Sequence, residues 1–177
     1  NGDALKVVNS LTYKLANWKL VGNIPYYISG KLLRILSELN SRPLCAILML
    51  QREVAERIIA QPPHMNLLAA AVQIWAEPKI IRFLPPEDFS PPPKVKSAII
   101  SLVTKKQELG TKKFEGYYRL IKILFKQPRK TAWNNLRDGL EIQEKMLEKI
   151  MENLKIAKNA RPQDLALDLL IKLAANI

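Results

Sequence analysis

The sequence predicts an α/β fold that gives way to a small all-helical region. Three observations carry this expectation. Short apolar runs of strand length alternate with helical patterns over the first hundred residues, the rhythm of a sheet with crossovers. Beyond about residue 105 only helical patterns remain. Between the two lies "KKQELGTKK", a polar stretch that reads as a linker, so the domains are expected at 1–105 and 106–177.

In chain order, "WKLVGN" reads as a buried strand. "ISGKLLRILSELN" follows with Ile28, Leu32, Ile35, Leu36 and Leu39 at helical spacing and Ser29 as the expected N-cap. "LCAILML" is a continuous apolar run, expected to be a parallel strand covered on both faces. "REVAERIIA" is a helix stopped by Pro62 and Pro63, "NLLAAAVQIWA" another helix, and "PKIIRFL" another strand. "KVKSAIISLVTK" is the last strand, reached through a proline-rich loop. The helical region carries "FEGYYRLIKILF", "KTAWNNLRDGL", "IQEKMLEKIMENL" and "PQDLALDLLIKLAANI", with Pro162 at a first turn that tolerates it. Tyr118, Ile121, Leu124 and Phe125 are expected on the buried side of their helix. There is no internal repeat.

Composition bounds the function. The chain has 177 residues, 48% apolar and 25% charged, enough to bury a core. No apolar run approaches a membrane span and no signal peptide opens the sequence, so a cytoplasmic address is expected. The single cysteine, Cys45, excludes an intrachain disulfide and reads as a small buried hydrophobe. The single histidine, His64, follows two prolines and reads as a surface loop residue, and no Cys/His cluster suggests a metal.

Charge points to a polyanionic partner. Lys and Arg number 28 against 16 Asp and Glu, a formal +12. Lys112, Lys113, Arg119, Lys122, Lys126, Arg129, Lys130 and Arg137 fall in one segment opposed only by Glu115. A merely soluble surface interleaves its signs. Arg119, Lys122 and Lys126 recur at helical spacing and can share a face, while Arg129 and Lys130 are expected to open the next helix.

The chemistry concentrates in "GNIPYYIS". An Asn at the end of a parallel strand lies where α/β folds place their sites. Its amide oxygen, with a backbone carbonyl held by the following proline, can accept both hydrogens of an amine conjugated to an aromatic ring. Such an amine is a poor nucleophile because its lone pair is delocalised. Accepting its hydrogens favours the pyramidal form that develops in the transition state. The phenol of Tyr26 supplies a stacking face for a flat base. On these four residues alone, a capped turn leading into a helix fits as well.

Context separates the two. "GNIPYYIS" resembles the [D/N]-[I/L/P]-P-[Y/F/W] motif of amino-group methyltransferases in the form used for adenine. "GDAL", "LMLQREVAERIIA", "FLPPEDFSPPPKVKSAIISL", "FKQPRKTAWNNL" and "ARPQDLALDLL" stand around it in family order. Together, from residue 2 to about 171, they resemble the ribosomal RNA adenine dimethyltransferases of KsgA type. The resemblance implies a Rossmann-like S-adenosylmethionine methyltransferase sheet followed by a helical RNA-binding domain, acting on adenines of small-subunit ribosomal RNA in the immature subunit. Asn23 and the Ile24–Pro25 backbone would receive the adenine amino group. Tyr26 would stack on one face of the base and Phe89 on the other. Asp3 would bond the adenine of S-adenosylmethionine, and Asn23 would border the methyl donor. "RKTAWNNL" would lie near where the RNA enters. Methyl transfer by in-line displacement then needs mostly positioning, and no metal.

The departures are specific. Pro128 stands where the family carries the first of two arginines, Lys96 where an acid is common, and Met65, Asn66 and Ala69–Ala70 where Tyr-Gly and Ser are usual. The family's glycine-rich loop and ribose-binding acid precede "GDAL", and none of the six glycines here forms a G-x-G. The expectation is therefore the C-terminal part of the methyltransferase sheet, binding S-adenosylmethionine weakly or not at all by itself and inactive alone, with "KLVG" an open sheet edge. Two alternatives remain at this point: a large-subunit methyltransferase of the macrolide-resistance type, and a non-catalytic RNA-binding factor of ribosome assembly.

Overall fold

The computed structural model describes residues 5, 6, 8, 17–106 and 111–177, and the side chains of all of these but 111–113. It divides into two compact units. One takes the described residues up to Ile59 together with Val72–Lys106; the other takes Ala60–Ala71 and the described residues beyond 107. The segment 60–71, which the sequence grouped with the sheet, thus belongs to the helical unit.

The first unit begins with β1 (Lys19–Asn23), a 3-10 turn (Tyr26–Ile28) and α1 (Ser29–Glu38). β2 (Cys45–Gln51) runs directly into α2 (Arg52–Ile59); α3 (Leu67–Gln73), β3 (Ala76–Leu84) and β4 (Ser97–Thr104) follow. The sheet order is β1-β2-β4-β3. β1 and β2 are parallel, while β4 is antiparallel to both β2 and β3, so β1, β2 and β3 all point the same way. The reversal has a local cause. A parallel return needs a long crossover, usually a helix, and residues 85–96 supply only a 3-10 turn (Pro86–Asp88) among prolines.

The sheet's core is the register of β2 with β4. Ala46 faces Leu102, Leu48 faces Ile100 and Leu50 faces Ala98, all six wholly buried. The alternate residues Cys45, Ile47 and Met49 are only half-buried, so β2 is not covered on both faces by the described residues. Cys45 accordingly is half-buried rather than buried, with its Sγ 3.5 Å from the Ser101 hydroxyl. Pro78 lies inside β3, which is tolerable because β3 is an edge strand and a missing N–H can face outward.

Ser29 is not the N-cap of α1. The 3-10 turn leads straight into the helix, Ser29 N–H donates to the Tyr26 carbonyl, and Ile28 takes the cap position. The Ser29 hydroxyl is buried and has no hydrogen-bond partner among the described residues.

β1 pairs on one side only among the described residues, and Val21 is 78% exposed. An apolar edge of this kind invites strand addition. The outward amides of Lys19–Gly22 are expected to exchange far faster than those of Ala46–Leu50, with self-association rising with concentration. A monomer at high concentration whose β1 amides are as protected as those of β2 would count against this.

The second unit is helical: α4 (Thr111–Leu124), α5 (Ala132–Gly139), α6 (Glu144–Asn153), a 3-10 turn (Pro162–Asp164) and α7 (Leu167–Ala175). Lys112 and Lys113 therefore belong to a helix, not to a linker. α4 packs against α5 and α7. Its buried stripe is Phe114, Tyr117, Leu120, Ile121 and Leu124; Tyr118 and Phe125 are half-buried at its margin. The phenols of Tyr117 and Tyr118 donate to the carbonyls of Ala70 and Ala71, which ties segment 60–71 to this unit. Burial pushes the Tyr117 phenol up from its ordinary pKa. Gly139 ends α5 directly against Ile123, where a Cβ would have no room. Pro162 opens the short 3-10 turn, with the Arg161 N–H donating to Asp164 at 2.9 Å, and the helix proper starts five residues later at Leu167.

Candidate active site and nucleic-acid surface

The carboxyl ends of β1, β2 and β3 lie along one edge of the sheet, together with the start of β4. Open α/β sheets bind ligands at such an edge. Asn23 is the last residue of β1, registered with Met49. It is exposed, and its side chain makes no hydrogen bond among the described residues. Ile24 turns inward and is buried. Pro25 is exposed, with φ −55° and ψ 132°, and its carbonyl accepts from the Ile28 N–H at 3.1 Å. That bond engages one of the two lone pairs of the Pro25 carbonyl.

Tyr26 is half-buried, and its phenol lies 2.6 Å from the hydroxyl of Ser97, the first residue of β4. Phe89 follows the carboxyl end of β3. It closes the Pro86–Asp88 turn in extended backbone, its N–H donating to the Pro86 carbonyl at 3.1 Å, and it is half-buried. The two aromatic rings make no mutual contact. Asp3 lies outside the described residues. Arg52, at the turn from β2 into α2, was not singled out from sequence. Its guanidinium sits 4.7 Å from the centre of the Phe83 ring and 2.7 Å from Glu56.

In the helical unit Arg119, Lys122, Lys126, Arg129, Lys130 and Arg137 are all exposed. Arg119 lines a cavity of about 490 Å³ together with Gly116, Leu120, Leu140, Glu141 and Met146. Arg129 and Lys130 do not open α5. They sit in the loop before it, where Thr131 is the N-cap and its hydroxyl accepts from the Asn134 N–H. Asp138 takes Arg137 at 2.9 Å and Lys130 at 3.3 Å, and these two cations hold its carboxyl below the usual range. Among the described residues, Arg119, Lys122, Lys126 and Arg129 have no carboxylate partner. Lys112 and Lys113 are placed in α4 by their backbone alone.

Sequence reasoning missed Asn135. It is buried, its Oδ1 accepts from the Gln127 N–H, and its Nδ2 donates to the carbonyls of Gln127 and Thr131. It clamps the loop that carries Arg129 and Lys130. A second Asn inside an otherwise amphipathic helix start was the signal available.

Comparison with known proteins decides the family. The sequence model of the family described as "Ribosomal RNA adenine dimethylase" matches residues 2–175. The chain belongs to this family. Among its curated members, the Ribosomal RNA small subunit methyltransferase A of Desulfitobacterium hafniense is 31% identical over 170 residues, 95% of this chain and 61% of that protein. The protein of the same name from Neisseria meningitidis is 38% identical over 123 residues, 68% of this chain and 48% of its own length. The chain thus spans roughly half to three fifths of these relatives. Its fold resembles that of a dimethyladenosine transferase from Plasmodium falciparum, with TM-score 0.78, 26% identity, and coverage of 98% of this chain and 69% of that one. The 23S rRNA methyltransferase ErmE is similar in fold alone, with TM-score 0.70 at 19% identity over 89% of this chain and 64% of its own. The family's sheet is the Rossmann-like methyltransferase sheet, and the four strands here with their antiparallel β4 match it.

Among the described residues no helix is long and apolar enough to cross a membrane, and no three His, Cys, Asp or Glu side chains come together as a metal site would require.

Proposed function

We propose that this chain carries the adenine-receiving and RNA-holding parts of an enzyme that dimethylates adenine N6 in small-subunit ribosomal RNA, with S-adenosylmethionine as the donor and the immature small subunit, in the cytoplasm, as its partner. The observation that carries this reading is the exposed, unengaged Asn23 amide at the carboxyl end of β1, followed at once by the buried Ile24 that anchors it. The relatives' names favour small-subunit over large-subunit RNA, since ErmE shares the fold alone.

In this reading the Asn23 Oδ1 and the Ile24 carbonyl accept the two hydrogens of the adenine amine, and the rigid Pro25 fixes the angle between them. Tyr26 and Phe89 hold the base from its two faces. S-adenosylmethionine supplies an electrophilic methyl group on a sulfonium. Asn23 borders it, and Asp3 is the proposed partner of its adenine. The donor set fits, because a neutral amide and a carbonyl can accept from an amine without protonating it. No acid–base pair is needed.

RNA is proposed to bind through the basic face of the helical unit. The residues free of carboxylates, Arg119, Lys122, Lys126 and Arg129, carry the largest share, with Lys112 and Lys113 as further contacts. Lys130 and Arg137 contribute less because Asp138 already balances them. Replacing Lys126 and Arg129 together with Ala is expected to lower the log–log salt slope of RNA binding by about 1.4 to 1.8, since each phosphate contact adds roughly 0.7 to 0.9. Lys130→Ala should change it by less than half of one contact. Filter binding between low and moderate salt checks this, and an unchanged slope in the double variant would make the basic stretch a solvated face.

A further inference from the structure

Ser97 is wholly buried at the first position of β4, yet its hydroxyl serves the loop after β1, not its own strand. Its Oγ lies 2.6 Å from the Tyr26 phenol oxygen, a short hydroxyl–hydroxyl hydrogen bond across 71 residues of sequence. The Ser97 backbone is held from both sides, in register with Gln51 of β2 and Leu84 of β3. The adjacent Lys96 carbonyl accepts from the Arg52 N–H at 2.9 Å. Ser97 is therefore a rigid point at the sheet edge, and water has no access to replace Tyr26 as its partner.

The other end of Tyr26 is equally fixed. Its backbone sits in the 3-10 turn closed by Ile28 N–H to the Pro25 carbonyl, and its own carbonyl accepts from the Ser29 N–H. The side chain is thus tied at Cα and at the phenol oxygen, which leaves the ring little rotation between them. Stacking alone needs only a ring face, and a phenylalanine would supply one. A hydroxyl bonded to a buried serine adds orientation.

We infer that Ser97 is a positioning residue: it pins the Tyr26 phenol so that one ring face is presented to the adenine before the base arrives. The inference rests on the reading of Tyr26 as the stacking residue. Without the bond, the ring must be immobilised on binding, a cost that lowers the stacking equilibrium constant about three- to tenfold. Phosphate contacts made elsewhere are untouched, so total RNA affinity falls by less than the stacking constant does.

The test is a fluorescence titration with a short single-stranded RNA carrying 2-aminopurine in place of one adenine, which needs no methyl donor. Ser97→Ala and Tyr26→Phe are each expected to reduce the stacking constant, taken as the ratio of quenched to unquenched bound RNA, by this factor, with a smaller change in RNA affinity. The double variant should be no worse than the more severe single, because both remove the same bond. A merely structural serine would lower the melting temperature and leave the stacked fraction alone, and that result overturns the inference, as do additive effects. Should Ser97→Ala fail to fold, Tyr26→Phe keeps the ring and removes the same bond; wild-type quenching from it overturns the inference equally. Tyr26→Ala separates the two levels. If it quenches like the wild type, the stacking reading itself fails and Ser97 has nothing to position. If it abolishes quenching while Ser97→Ala does not change it, only the role of Ser97 is lost.

Discussion

Asn23→Ala is expected to slow methyl transfer by about a hundredfold or more, the usual loss when one preorganised hydrogen-bonding group is removed from a reacting centre. RNA affinity should stay within about twofold, because the amide acts on the reacting amine and not on a phosphate. Folding should be almost unaffected: Asn23 is exposed and its side chain holds nothing else among the described residues. The measurement is a single-turnover rate at saturating RNA, in a chimera that supplies the part of the Desulfitobacterium hafniense relative this chain does not span, compared with the same chimera bearing Asn23. Turnover within a few-fold of the parent would remove Asn23 from the reaction. Phe89→Ala should be milder, since stacking of one base is worth roughly 1–3 kcal/mol.

Asn135→Ala should have the largest effect on stability. Three hydrogen bonds converge on its side chain, from Gln127 N–H at 3.1 Å and to the carbonyls of Gln127 and Thr131 at 3.0 and 3.1 Å. At about 1 kcal/mol for each bond, with a further penalty wherever a buried group is left unpaired, the loss should be about 2–4 kcal/mol. Lys126 and Arg129 flank Gln127, so the freed loop also has to be ordered when RNA binds. RNA affinity should fall with stability, although no charge has changed. Denaturant unfolding of the helical unit together with a binding isotherm would test both parts. A loss below about 0.5 kcal/mol would show that the loop is held by something other than Asn135.

What was legible in the sequence was local. Short apolar runs of strand length identified β2 and β4, helical spacing identified α1 and α4 to α7, and the Asn-Ile-Pro-Tyr punctuation marked the carboxyl end of β1. Periodicity reports which face of an element is buried, because neighbours three or four apart on a helix, or two apart on a strand, share an environment. It misjudged the margins for the same reason. Tyr118 and Phe125 lie at the edge of the apolar stripe of α4, and Phe114, Tyr117 and Leu120 complete its centre.

Partners across long separations could not be read that way. The antiparallel β4 inserts between β2 and β3, and the segment 60–71 joins the helical unit through two phenols. Ser29 fits the pattern of a cap, yet a preceding 3-10 turn already satisfies its backbone. The sequence by itself pointed to the residues proposed to bear the chemistry, not through Asn-Ile-Pro-Tyr alone but through the further motifs that stand around it in family order. Only the tertiary structure decided what holds them in place. A side-chain hydrogen bond such as that between Tyr26 and Ser97 depends on two strand ends meeting in space, and no local spacing encodes that distance.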